Sequence, residues 1–358
     1  MTISRRDFVK SGSLALAGAA FAPYRPPPFP PARDLPVLVC LFQRGAVDGL
    51  TMIVPHGDPC YYRERPRIAV PERDVVDLDG YFGLHPRLAA LKPLWDSKCL
   101  AAIHAIGPPT MMQSHFDAQE GIESGTPGVK GTRDGWLNRY CRQDRTHQDA
   151  PFRAVSFGPA PPRILAGGAP SLAIRDVQTH GFGAPQPANG ADYPRGKLGK
   201  ALREIAQVIK ADVGLQVAFA DQTGWDTHVN QGATEGRLAG RLGELGQALA
   251  AFTRDLGEWM RDVVVVTMSE FGRAVRENGS SGTDHGHATA MLVLGGPVNG
   301  GRVLGKWPGL EGRDVAVTTD FRDLFAELVA RHLGARDLSA IFPGFTPDPR
   351  RFPGAISA

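Results

Sequence analysis

Residues Val263–Gly296 read VVVVTMSEFGRAVRENGSSGTDHGHATAMLVLGG. Val263–Val266 is a β-branched run of the kind that fills a buried strand, and Ala288–Leu294 is a second apolar run. Between them stand Ser269-Glu270-Phe271-Gly272-Arg273 and Thr283-Asp284-His285-Gly286-His287. Two buried strands would therefore bring a carboxylate, a guanidinium and an Asp-His-x-His cluster to nearby ends of their connection. Such groups are costly to bury, and they gather where a metal or a reaction uses them.

The same alternation of apolar strand and amphipathic helix extends outward. In Ala233–Met260, Leu238, Leu242, Leu245, Leu249, Phe252 and Leu256 step by four and three, as in a long helix packed on a sheet. Lys197–Asp212 carries Leu198, Leu202, Ile205 and Ile209 on one face. Val213–Ala220 is a strand, ending in Asp221–His228 (DQTGWDTH). Leu35–Phe42 (LPVLVCLF) is a continuous apolar run, as expected of a strand covered on both faces. Further strands are expected at Cys99–Ile106, Phe152–Phe157 and Ser171–Arg175, and helices at His85–Lys98, Asp134–Gln143 and Phe321–Leu333. Strands alternating with helices predict one parallel or mixed sheet between helix layers.

In such a sheet, ligands bind beyond the carboxyl ends of the strands. Asp48 follows the first strand and is a candidate ligand, although Asp48-Gly49 equally reads as a turn. Ser114 and Asp117 resemble a capping pair, but a serine at a helix N-terminus is also placed to attack an anion held there. Asp226 and His228 offer two ligand types on one loop, and Glu270 with Arg273 reads as either a site pair or an internal ion pair. His332 reads as the C-terminal cation of its helix.

The candidate metal ligands are thus Asp48, Asp226, His228, Glu270, Asp284, His285 and His287. Mixed carboxylate and imidazole donors suit a divalent transition metal, Zn or Mn, as one ion or two. Two adjacent ions would clamp the attacking and leaving oxygens of a phosphoryl or sulfuryl transfer. Arg273 or Arg44 would hold the remaining anionic oxygens, and Ser114 or a metal hydroxide would be the nucleophile.

The ends and the composition bound the setting. Ser4-Arg5-Arg6-Asp7-Phe8-Val9-Lys10 precedes a short stretch of small apolar residues, Leu14–Ala22, which reads as a twin-arginine signal over residues 1–22. That stretch is too short for a stable membrane span. It implies passage through the Tat translocase to a periplasmic or extracellular location. Residues 23–36 form a proline-rich linker. Without residues 1–22, which hold Arg5, Arg6, Lys10 and Asp7, the formal net charge falls from +3 to +1. Such a chain has no electrostatic footprint for nucleic acid. Cys40, Cys60, Cys99 and Cys141 lack metal-site spacing, and their pairing stays open. No GxGxxG follows a predicted strand, and no haem or iron–sulfur pattern is present, which argues against an oxidoreductase.

Taken together, the arginine-pair signal, RGAVDGL, SHFDAQ, WDTH, SEFGR and GTDHGHA followed by LVLGG resemble domain-of-unknown-function family 1501. These are exported bacterial proteins of the alkaline phosphatase–sulfatase superfamily. The resemblance implies a three-layer α/β/α sandwich with a mostly parallel central sheet, in a single alkaline phosphatase-like domain over residues 37–358. It also implies two metals, with Asp48, Asp226 with His228, and Asp284-His285 as ligands, His287 as a last ligand and Ser114 as nucleophile. The sequence departs from that pattern in the close spacing of Asp226 and His228. It also lacks the sulfatase Cys-x-Pro-x-Arg signature, since Cys141–Arg145 and Cys40–Arg44 have the ends without the proline. The expected function is an exported metal-dependent hydrolase of small anionic phosphate or sulfate esters. The alternative is a catalytically degenerate binding or assembly protein on the same fold, acting with a co-exported partner.

Overall fold

Val37–Arg44 (β1) is buried along almost its whole length and lies in the middle of the main sheet. The computed structural model describes residues 35–144, 147, 150–177 and 185–357, so the arginine-pair segment and the linker up to residue 34 lie outside the described residues. The other strands that concern the site are β2 (Leu100–Gly107), β3 (Ala154–Phe157), β4 (Leu172–Ile174), β5 (Val217–Thr223), β6 (Val263–Met268), β7 (Arg273–Glu277), β8 (Thr283–His285), β9 (Thr289–Gly295), β10 (Arg302–Leu304) and β11 (Thr319–Asp320). The main sheet runs β10-β2-β9-β6-β1-β5-β3-β4, with β11 also on β2. Its pairings are parallel except for β9, which lies antiparallel between β2 and β6. Cys40 is in register with Phe219 on one side and Val266 on the other.

Successive side chains of a strand point to opposite faces, and β1 is apolar throughout because both faces are covered. Val37, Val39 and Leu41 pack with helices α3 (Lys197–Lys210) and α4 (Arg237–Leu256). Leu38, Cys40 and Phe42 pack with α2 (Trp136–Gln143) and α5 (Phe321–Glu327). The result is the expected three-layer sandwich on a mostly parallel sheet. The α4 stripe Leu238, Leu242, Leu245, Leu249, Phe252 and Leu256 is buried as its spacing predicts. Among the described residues, no helix is long and apolar enough to cross a membrane.

The four cysteines, whose pairing the sequence leaves open, are free thiols. Asp320 caps α5 by accepting from the Arg322 amide at 2.9 Å. His332 is not a solvated cation: it is buried, its Nε2 donates to the Val37 carbonyl at 2.9 Å, and burial pushes its pKa down.

His104 on β2 shows the same physics more strongly. Its Nε2 donates to the Ile53 carbonyl at 3.1 Å, its Nδ1 accepts from the Ala105 amide at 3.0 Å, and its ring lies 4.6 Å from that of Trp307. Burial lowers its pKa to about 4 from 6.5. The unfolded chain therefore takes up a proton first on acidification. The neutral ring's contribution is complete above pH 6.5 and lost as pH falls toward 4, about 3 kcal/mol at most. His85, depressed by burial in the same direction, adds to the effect. Urea midpoints at pH 7.5 and pH 5 are expected to fall less in His104→Gln than in the parent. Equal losses in both would show that His104 does not set the acid limb.

Candidate metal centre

Four segments converge at the carboxyl ends of the parallel strands, where an open α/β sheet binds its ligands. They are Gln43–Asp48 after β1, the start of α1 (His115–Ser124), Asp226–Gln231 after β5, and Ser269–His285 after β6. The connection between β6 and β9 is not a plain loop. It folds into the β7–β8 hairpin, in which Arg273 and His285 are cross-strand partners. Gly45 (φ +117°) lets the chain turn against the loop after β5, since a Cβ there would lie 2.7 Å from the Asp226 backbone nitrogen.

One donor atom from each of His115, Asp226 and His285 falls within a common radius, all mutually within 4.8 Å. His115 Nε2 is 3.6 Å from Asp226 Oδ2, and His285 Nε2 is 3.6 Å from Asp226 Oδ1. Ligands about 2.0–2.1 Å from a tetrahedral zinc stand roughly 3.3 Å apart, so these separations are close to those of an ion's own shell. A third nitrogen stands beside this group, His228 Nε2, 3.0 Å from both Asp226 Oδ1 and His285 Nε2.

The far side of each ring fixes which nitrogen is free. His115 Nδ1 lies 2.8 Å from Glu270 Oε1, and His285 Nδ1 lies 3.0 Å from the Gln113 carbonyl. Both partners accept, so each Nδ1 carries the proton and each Nε2 presents a lone pair inward. His115 Nε2 is buried with no hydrogen-bond partner. An orphaned buried lone pair is what a cation would satisfy, and the donor set fits Zn or Mn. Phe271 forms an apolar floor, its ring 5.0 Å from His115 and 4.9 Å from His285.

Electrostatics follow from these contacts. The hydrogen bond to Glu270 raises the His115 pKa, whereas burial and then the charges of His115 and Arg273 lower that of His285. Burial pushes the Glu270 carboxyl up, but hydrogen bonds from His115, Gln119 and the Gly45 amide outweigh it and hold the carboxyl below its ordinary value. Burial is likewise overcome at Asp226 by Arg273, whose Nη1 donates to Oδ1 at 2.7 Å.

The expected residues separate into three groups. Asp226, His228 and His285 meet, and His115, overlooked beside Ser114, joins them. Glu270, expected as a ligand, instead lies behind His115 and orients it, while Arg273 holds Asp226. Asp48, Asp284 and His287 are engaged elsewhere. Asp48 is fully buried on Arg65, with Nη1–Oδ2 2.6 Å and Nη2–Oδ1 3.1 Å. Asp284 is exposed, bonded to Asn278 at 3.0 Å and 3.7 Å from His228 Nδ1. His287 Nε2 donates to the Pro108 carbonyl at 2.8 Å. Ser114 caps α1, its Oγ accepting from the Asp117 amide at 3.4 Å. Arg44 is held by Asp221, Gln119 and Glu123 and reaches the centre only through Gln119 on Glu270.

Residues 183–352 match the model of a family described as a protein of unknown function, DUF1501. The match takes in Asp226, His228, Glu270, Arg273 and His285 and stops short of His115. No protein of curated function matches the chain. Among solved structures, the chain is similar to the C-terminal periplasmic domain of EptC from Escherichia coli in complex with Zn. The TM-score is 0.45 and the identity 12%, over 90% of this chain and 93% of that one. It is also similar to the phosphonate monoester hydrolase of Agrobacterium radiobacter, with TM-score 0.40 and 13% identity over 88% and 78%. A third is a protein in the alkaline phosphatase superfamily from Vibrio parahaemolyticus, with TM-score 0.39 and 12% identity over 90% and 74%. These likenesses concern the fold alone.

Proposed function

We propose that this chain, a DUF1501 match over residues 183–352, is an exported metal-dependent hydrolase of phosphate or sulfate esters. Export is read from Ser4–Lys10 and the small apolar residues Leu14–Ala22. One observation carries the chemistry: His115, Asp226 and His285 aim donor atoms at one point, with both imidazole tautomers set by outer partners. A divalent ion held there supplies Lewis-acid polarisation of an ester oxygen and acidification of water.

The chain's own groups do the rest. His115, Asp226 and His285 would hold the ion, with His228 Nε2 beside them at 3.0 Å from Asp226 Oδ1. Glu270 fixes the His115 ring, and Arg273 Nη1 fixes Asp226. Arg273 Nη2 is buried with no partner, so the guanidinium charge acts on the centre through Asp226 and not on the ester directly. Ser114 starts the helix that carries His115, and its Oγ only accepts in the cap, which leaves its proton for transfer. The side chain of Asp226 is 44% exposed, so an ester in solvent can reach the centre.

The test is turnover of an aryl phosphate and an aryl sulfate by the mature chain loaded with Zn or Mn. Activity that a chelator removes and added metal restores is the expected result. A folded chain that takes up neither metal and cleaves neither ester would sink the reading. One that binds metal yet cleaves neither would favour the binding or assembly alternative.

A further inference from the structure

We infer that the centre takes a single divalent cation per chain, and that the Arg65 guanidinium permanently fills the carboxylate a second one would need. This rests on the metal-centre reading above and deepens it. Asp48 is a further acid that the sequence offers as a ligand, and four hydrogen bonds already hold it. Oδ2 accepts from Arg65 Nη1 at 2.6 Å, Thr51 Oγ1 at 2.8 Å and Gln231 Nε2 at 2.7 Å, and Oδ1 accepts from Arg65 Nη2 at 3.1 Å. Both side chains of the pair are 0% exposed. Arg65 is tied down at its other donors too, by the Val275 carbonyl on Nε and the Ala274 carbonyl on Nη2, both at 2.8 Å.

An incoming ion would have to displace a guanidinium that has no route to water. Leaving that charge buried and unpaired is strongly unfavourable. The ion would also face the Gln231 amide, whose direction is set from behind. Gln231 Oε1 accepts from Thr227 Oγ1 at 2.8 Å and from Thr283 Oγ1 at 2.9 Å, so its NH2 group points at Asp48. Thr283 Oγ1 in turn accepts from Arg273 Nε at 3.1 Å, and Arg273 Nη1 reaches Asp226. One chain of donors and acceptors therefore runs from the Arg65–Asp48 pair to the metal centre, with every donor aimed at a carboxylate or its relay. The remaining expected ligands do not make a second shell. Asp284 is on Asn278 and His287 is on the Pro108 carbonyl. Among the described residues, the group able to share an ion is His115, Asp226 and His285.

The measurement is metal per chain by elemental analysis, after Zn or Mn loading and passage over a chelating column to strip loosely held ion. One ion per chain is expected. Two would overturn the inference while leaving the hydrolase reading intact, and none would overturn both. The paired substitution Asp48→Asn with Arg65→Met removes both charges and is expected to keep one ion, whereas His115→Ala is expected to lose it. A paired variant that is folded by circular dichroism but metal-free would make Asp48 a ligand and end the proposal.

Discussion

Replacing Asp226 by asparagine is expected to weaken Zn or Mn binding by at least about 100-fold while leaving the fold in place, and ester turnover is expected to fall with it. The carboxylate is the hub of the centre. Its oxygens lie within 3.6 Å of His115, His228 and His285 nitrogens, and 2.7 Å from Arg273 Nη1. Asparagine keeps the shape and an oxygen for Arg273, but it removes the negative charge that three imidazoles and an ion would share. Asp226→Ala should differ in kind. It takes away the partner of a guanidinium that is 0% exposed and already has an orphaned Nη2, so stability should drop along with metal affinity. Chelator competition gives the affinity, and urea unfolding without metal gives the stability. An asparagine variant that holds metal as tightly as the parent would remove Asp226 from the ligand set.

The readable part of this molecule was the part written in periodicity. β1, β6 and β9 announced themselves as unbroken apolar runs because both faces of the sheet are covered, and α4 did so by its leucine stripe. Asp226 and His228 were legible because they sit just past a strand end, and His285 because its Asp-His-x-His cluster precedes an apolar run. What stayed hidden was decided by tertiary geometry. His285 and His287 share a face if the strand continues, but the strand ends at His285 and the chain bends at His287. His287 is thereby carried to the Pro108 carbonyl. His115 sat in a segment already assigned to the site, yet the neighbouring Ser114 hydroxyl drew the catalytic role. Only the contact between Nδ1 and Glu270, 155 positions away, shows the imidazole to be oriented inward. Gln231 and Arg65 carry no motif at all. Their importance lies in partners brought together by folding.

Asp48→Asn is expected to destabilise the chain by about 3–5 kcal/mol, and adding Arg65→Met is expected to recover most of that loss. A buried ion pair gains little over an apolar pair of the same shape, because desolvation offsets the attraction, but half of such a pair is far worse than either. Burial alone would raise the Asp48 pKa; the Arg65 charge and hydrogen bonds, with Thr51 and Gln231, hold it below its ordinary value, so the carboxylate is ionised across the neutral range. Asparagine leaves a guanidinium at 0% exposure with only carbonyl and hydroxyl acceptors around it. Methionine at position 65 removes that charge and fills much of the space beside Tyr61. Unfolding free energies of the parent, the single and the paired variant, measured at pH 7 in urea without metal, separate the contributions. If single and paired variants lose the same amount, the pair is not what holds the loop after β1 against β7, and Arg65 would be a passive neighbour of Asp48 rather than its fixed counter-charge.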